Sequence, residues 1–93
     1  MDYYSNITKL NLSNKGLTQL PDLSIYTNLK ELHCSGNKIA TLYNLPPILT
    51  VLDCSSNKIS SLDNLPLTLT KLFCSGNPLQ YDFNPTLENI RKQ

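Results

Sequence analysis

The sequence predicts an α/β solenoid, a stack of short parallel strands joined by non-helical returns and closed by one short helix. Three observations predict it. The segments LKELHCSGNKI, LTVLDCSSNKI and LTKLFCSGNPL begin at Leu29, Leu49 and Leu69, 20 residues apart, and a fixed period of that length marks stacked units that bury a continuous core only together. Within each unit the alternation Leu32-x-Cys34 and its equivalents has the period of two that belongs to a strand with one buried face. After the last unit, NPTLENIRK over 84–92 places asparagine at a plausible N-cap, proline at the first helical position, and Leu87 and Ile90 three apart, which predicts a capping helix. The chain thus reads as a single domain over 1–93, with units at approximately 7–28, 29–48, 49–68 and 69–83 and a C-terminal cap at 84–92.

The first unit is the irregular one. Ile7, Leu10, Leu12 and Leu17 fit the pattern, but the step from Ile7 to Leu29 is 22 residues and Lys15 stands where later units have asparagine. Asn14, one place earlier, is the alternative occupant of that rung. Ahead of it, Tyr3 and Tyr4 are expected to pack over the first strand as a thin N-terminal cover. In the later units the asparagines Asn37, Asn57 and Asn77 fall where the chain turns inward. A side-chain amide carries two donor hydrogens and an acceptor, so stacked copies satisfy backbone groups that would otherwise be buried unpaired. The returns, LYNLPP at 42–47 and LDNLP at 62–66, are too short and too rich in proline for a helix and predict extended or polyproline-like backbone.

The pattern L-x-x-L-x-(L/C)-x-x-N-x-(L/I), read at Leu29, Leu32, Cys34, Asn37 and Ile39 and again at Leu49, Leu52, Cys54, Asn57 and Ile59, resembles the leucine-rich repeat family. With its proline-containing return and 20-residue unit it is similar to the short type known from bacterial effector proteins. That resemblance implies a right-handed curved solenoid with the parallel sheet on the concave face. It also raises the effector architecture, in which repeats are fused to a separate ubiquitin-ligase domain, for which these residues leave no room.

Composition narrows the function. Eight basic and seven acidic residues leave a formal net charge of +1, so bulk electrostatics give no support for binding nucleic acid or an anionic membrane. No apolar run approaches the roughly 18–20 residues of a spanning helix, and the N-terminus lacks the basic-then-apolar pattern of a secretion signal. Three cysteines, an odd count set by the repeat, argue against a secreted disulfide scaffold and for a reducing, cytoplasmic location, which for an effector-like protein would be the host cell cytoplasm.

Cys34, Cys54 and Cys74 occupy the inward position that Leu12 holds in the first unit, where cysteine acts as a small hydrophobe. His33, the only histidine, is adjacent to Cys34 in sequence and therefore points to the opposite face, which speaks against a shared metal site. No metal and no cofactor is expected. His33 and Asp53 share a column on neighbouring strands, but a general-base dyad needs a nucleophile and an oxyanion site beside it. Ser13, Ser35, Ser55 and Ser75 are repeat consensus. A cross-strand hydrogen bond or a partner contact is the simpler reading, and no catalytic residue is assigned.

With the scaffold positions accounted for, the variable ones remain: Lys9, Glu31, Val51 and Lys71 in one column and Asn11, His33, Asp53 and Phe73 in the next. These eight are the candidate partner-binding residues of a non-catalytic protein-interaction module. Phe73 is either an exposed anchor or packed beneath the C-terminal segment near Tyr81 and Phe83. Four strands at about 4.8 Å spacing give a face near 15 by 15 Å, well short of the roughly 800 Å² per partner of a standard interface. Binding by this face alone is therefore expected to be weak, to spread onto the rims where Lys38 and Lys58 sit, or to use several copies. The alternative is a structural unit that self-associates weakly through its end strands.

Overall fold

The computed structural model describes residues 3–92. Four three-residue strands, β1 (Lys9–Asn11), β2 (Glu31–His33), β3 (Val51–Asp53) and β4 (Lys71–Phe73), form one sheet in sequence order, every neighbouring pair parallel. The pairing puts Leu10, Leu32, Leu52 and Leu72 in one column, with Lys9, Glu31, Val51 and Lys71 on one side of it and Asn11, His33, Asp53 and Phe73 on the other. Because side chains alternate across a strand, the leucines enter the core and the two flanking columns face out together.

The core is the repeat itself. Leu29, Leu32, Cys34 and Ile39 of one unit and Leu49, Leu52, Cys54 and Ile59 of the next are fully buried, continued by Leu62, Leu69 and Cys74. Each fully buried leucine or isoleucine contributes about 1.5–3 kcal/mol, which a single rung could not collect without its neighbours.

Past each strand the chain turns through a residue in the left-handed region: Asn14 (φ 58°), Gly36 (φ 68°), Ser56 (φ 55°) and Gly76 (φ 72°). This column resolves the first unit. Asn14 belongs with Gly36 and not with the ladder asparagines, and a β-carbon at Gly36 would collide with the Asn14 side-chain oxygen. The first unit instead borrows its amide from the second: Asn37 Oδ1 accepts the backbone N–H groups of Lys15 and Leu17 (both 3.0 Å), and Asn37 Nδ2 donates to the Leu12 and Cys34 carbonyls. Asn57 repeats the arrangement between the second and third units, accepting from Ile39 N–H and donating to the Cys34 and Cys54 carbonyls. Asn77 accepts from Asn57 and Ile59 N–H and donates to Cys54 and Cys74.

On the convex side the returns contain no helix among the described residues. They close in tight turns in which Leu49 N–H donates to Pro46 O and Leu69 N–H to Pro66 O. Asn44 (φ 53°) and Asn64 (φ 59°) interrupt the extended path with one left-handed residue each, a conformation asparagine tolerates well and proline cannot adopt.

The two ends are closed differently. Helix α1 (Leu87–Arg91) is capped by Thr86, whose hydroxyl accepts the Asn89 N–H at 3.1 Å. The helix thus begins two residues later than Asn84 and Pro85 suggested, because the Pro85 carbonyl turns aside to the Cys74 thiol (3.4 Å). Leu87 and Ile90 pack on the core, and Arg91 donates to the carbonyls of Pro66, Leu67 and Leu69 (2.8–3.3 Å). At the other end Tyr3–Asn6 forms a 3-10 turn. Its aromatics reach the first return: Tyr4 packs edge-on against Tyr26 at a centroid distance of 5.4 Å and Tyr3 edge-on against Tyr4. Tyr26 is the start of the first unit's last turn, so the tyrosines brace the return, and Leu10 stays only partly buried where Leu32 and Leu52 are fully so.

Candidate functional site

Parallel pairing brings the eight variable positions together on the outward face of the sheet. Five residues there form one polar chain. Lys9 Nζ lies 3.8 Å from Glu31 Oε2, His33 Nε2 lies 2.6 Å from the same oxygen, and His33 Nδ1 lies 3.7 Å from Asp53 Oδ2. Asp53 Oδ1 in turn accepts from the Ser55 hydroxyl (2.7 Å) and N–H (3.1 Å). The Glu31 carboxyl is held below the usual glutamate range, chiefly by its hydrogen bond with His33 and further by Lys9. Asn11 makes the same turn as Asp53, its Oδ1 accepting the Ser13 N–H at 2.9 Å.

The order along this chain determines its chemistry. A serine nucleophile needs the histidine between itself and the carboxylate. Here the carboxylate of Asp53 stands between Ser55 and His33, and both imidazole nitrogens face carboxylates. The arrangement orients the side chains. His33 is tied most closely to Glu31, two residues away on its own strand, a pairing that the column reading did not single out although both residues face the same side.

The cysteine column is buried. Burial, with the nearby Asp53 charge adding, pushes the Cys34 thiol up to about 12, and burial raises Cys54 and Cys74 as well. They remain protonated, which suits packing and not metal ligation or nucleophilic attack. Among the described residues no three His, Cys, Asp or Glu side chains converge on a point that could hold a metal ion.

At the far end of the face the polar chain gives way to Val51, Lys71 and Phe73. Phe73 is 52% exposed, so the C-terminal segment does not cover it, and Tyr81 and Phe83 stack on each other at a centroid distance of 4.7 Å. The Tyr81 hydroxyl accepts the Leu62 N–H at 2.7 Å, which fixes that pair to the last return. A convex groove of about 590 Å³ between the first two returns, lined by Leu23, Tyr26, Leu45, Pro46 and Pro47 with Asp22 and Asn44 at its rim, had no signal in the repeat pattern.

A family model described as Leucine Rich repeats (2 copies) matches residues 5–47. Residues 5–47 are leucine-rich repeats of that family. The match spans β1 and β2, and β3 and β4 continue the same register at the same interval. Leucine-rich repeat domains generally mediate protein–protein interaction and are typically non-catalytic. No curated protein and no solved structure matches the chain.

Proposed function

We propose that this leucine-rich repeat domain is a non-catalytic module that binds another protein through its concave sheet, using Lys9, Asn11, Glu31, His33, Val51, Asp53, Lys71 and Phe73. The observation that carries this reading is the exposure of Phe73 beside a preorganised row of polar side chains. An aromatic ring held on a rigid strand is a common kind of interface anchor, and side chains fixed by their neighbours lose little freedom when a partner arrives. The partner is read as a protein and not a nucleic acid or membrane, the net charge of +1 offering neither a general attraction. The buried, unbridged thiols fit a reducing cytoplasm, the host cell's in the case of a bacterial effector-type repeat or of a recognition unit within a larger effector.

Affinity capture with the chain and with a His33→Ala, Asp53→Ala, Phe73→Ala triple variant tests the site. Loss of the captured protein by a variant with an unchanged circular dichroism spectrum is the expected result; equal recovery would move the site off the sheet. Assembly through the end strands is the second reading, favoured by the partial exposure of Leu10 in β1. Sedimentation over a wide concentration range decides it, since a constant monomer mass would remove it.

A further inference from the structure

The net charge of +1 conceals a segregation of charge between the two sides of the solenoid. Every lysine except Lys92 sits on the sheet or at its margins: Lys9 and Lys71 in β1 and β4, Lys30 directly before β2, and Lys15, Lys38 and Lys58 in the turns that follow the strands. All six are exposed, and of them only Lys9 has an ion-pair partner among the described residues. The two carboxylates on the same side, Glu31 and Asp53, are already engaged by His33, Lys9 and Ser55. The returns on the opposite side carry Asp22, Asp63 and Asp82, all exposed, and no lysine; Arg91 of α1 reaches that side but is bonded to the Pro66, Leu67 and Leu69 carbonyls.

Resting on the reading of the concave sheet as the binding face, we propose that its partner is an acidic polypeptide segment bearing an apolar side chain. The carboxylates of such a segment would meet the unpaired ammonium groups of Lys71, Lys58, Lys38 and Lys30, while its apolar side chain packs on Phe73 and Val51. A basic segment would find the face's own acids occupied and the free charges repulsive. Crossing from β1 to β4 spans three strand spacings, about 14 Å, which an extended run of about five residues covers. A nucleic acid would meet the same lysines but only one exposed ring on the sheet, where single-strand binding relies on a series of stacking platforms.

The probes are a short synthetic peptide of glutamates around a central phenylalanine, its counterpart with lysine in place of glutamate, and a short single-stranded RNA. Each is titrated into the whole chain and followed by amide chemical shifts. The acidic peptide is expected to move signals in β3 and β4, to bind more weakly as salt rises, and to lose about tenfold in affinity with Lys58→Glu combined with Lys71→Glu. Asp22→Lys combined with Asp63→Lys, on the opposite side, is expected to leave that affinity unchanged. Equal or tighter binding of the basic peptide at Phe73 would overturn the acidic assignment and leave the concave site standing. Tighter binding of the RNA would overturn the polypeptide assignment. Shifts from the acidic peptide confined to the convex returns would overturn this proposal and the concave-face reading together, and no binding of the acidic peptide would overturn this proposal alone.

Discussion

Replacing Asn57 by leucine removes the middle rung of the asparagine ladder, and the consequences can be worked out bond by bond. Leucine has nearly the same size and no hydrogen-bonding atoms. Asn57 Oδ1 is the acceptor for the buried Ile39 N–H, which would be left without a partner at about 1–3 kcal/mol. The carbonyls of Cys34 and Cys54 each lose a bond from Asn57 Nδ2, but Cys34 O keeps Asn37 and Cys54 O keeps Asn77, so each of these losses is nearer 0.5–1.5 kcal/mol. The total is roughly 2–6 kcal/mol, against about 5–14 kcal/mol for a domain of this length. In urea, with a slope of about 1–3 kcal/mol per molar, the unfolding midpoint should fall by roughly 1–3 M while the outward face keeps its side chains. The same substitution at Asn77 orphans two N–H groups, yet Asn77 is only partly buried and water can replace lost partners more readily than at buried Asn57, so its effect should be smaller. A midpoint for Asn57→Leu within about 0.3 M of the unaltered chain, or a larger loss at Asn77 than at Asn57, would refute this account of the ladder.

The buried thiols should resist a disulfide reagent at about pH 8 in the folded chain and react fully in denaturant, as thiol counting would register. Because burial raises Cys34 to about 12 and Cys54 also, above the roughly 8.5 of an exposed thiol, the unfolded chain gives up these protons first. Stability is therefore full below about pH 8.5 and declines as pH climbs toward the folded values, seen as a falling urea midpoint. In a carbon-detected NMR titration the Glu31 carboxyl should titrate below an ordinary glutamate, and His33→Ala should return it upward. The Glu31–His33 contact is accordingly complete above the ordinary glutamate pKa and is lost as pH falls through the lowered folded value. Tyr81→Phe deprives the Leu62 N–H of its acceptor and should cost about 1–2 kcal/mol, a drop of roughly 5–15 °C in Tm by calorimetry.

Much of the fold was legible because a stacked repeat writes its contacts as spacing. Leu32, Cys34 and Asn37 recur at one interval, and parallel pairing then fixes which residues share a face. Departures occurred where the repeat is broken and local competition decides. Lys15 could not reveal that the first unit would take its amide from Asn37, since that bond crosses a unit boundary. The Asn84-Pro85 pair looked like a helix start, but the Pro85 carbonyl accepts from the Cys74 thiol, and Thr86 takes over the cap. Tyr3 and Tyr4 found Tyr26, a residue standing where later units have proline, and so braced a return, with Leu10 of β1 only partly buried. On the candidate face the two columns could be read directly. The Glu31–His33 contact depends on rotamers within one strand, which a column pattern does not encode, and the charge segregation emerges only when lysines from different positions of the unit are placed on one body.

Each cysteine carbonyl in the interior of the ladder is gripped by amides from two successive rungs, so the seam between units is made of the same atoms wherever it falls. A duplication or deletion of one whole unit between Leu29 and Thr68 would rejoin along a seam already present elsewhere in the molecule. A change of a few residues would pull an asparagine out of step with both carbonyls it serves. The chain can therefore vary its length in whole units more readily than in fractions of one. Each added unit would widen the concave face by one strand and two variable positions, so the breadth of the surface offered to a partner can change without redesign of the frame that supports it.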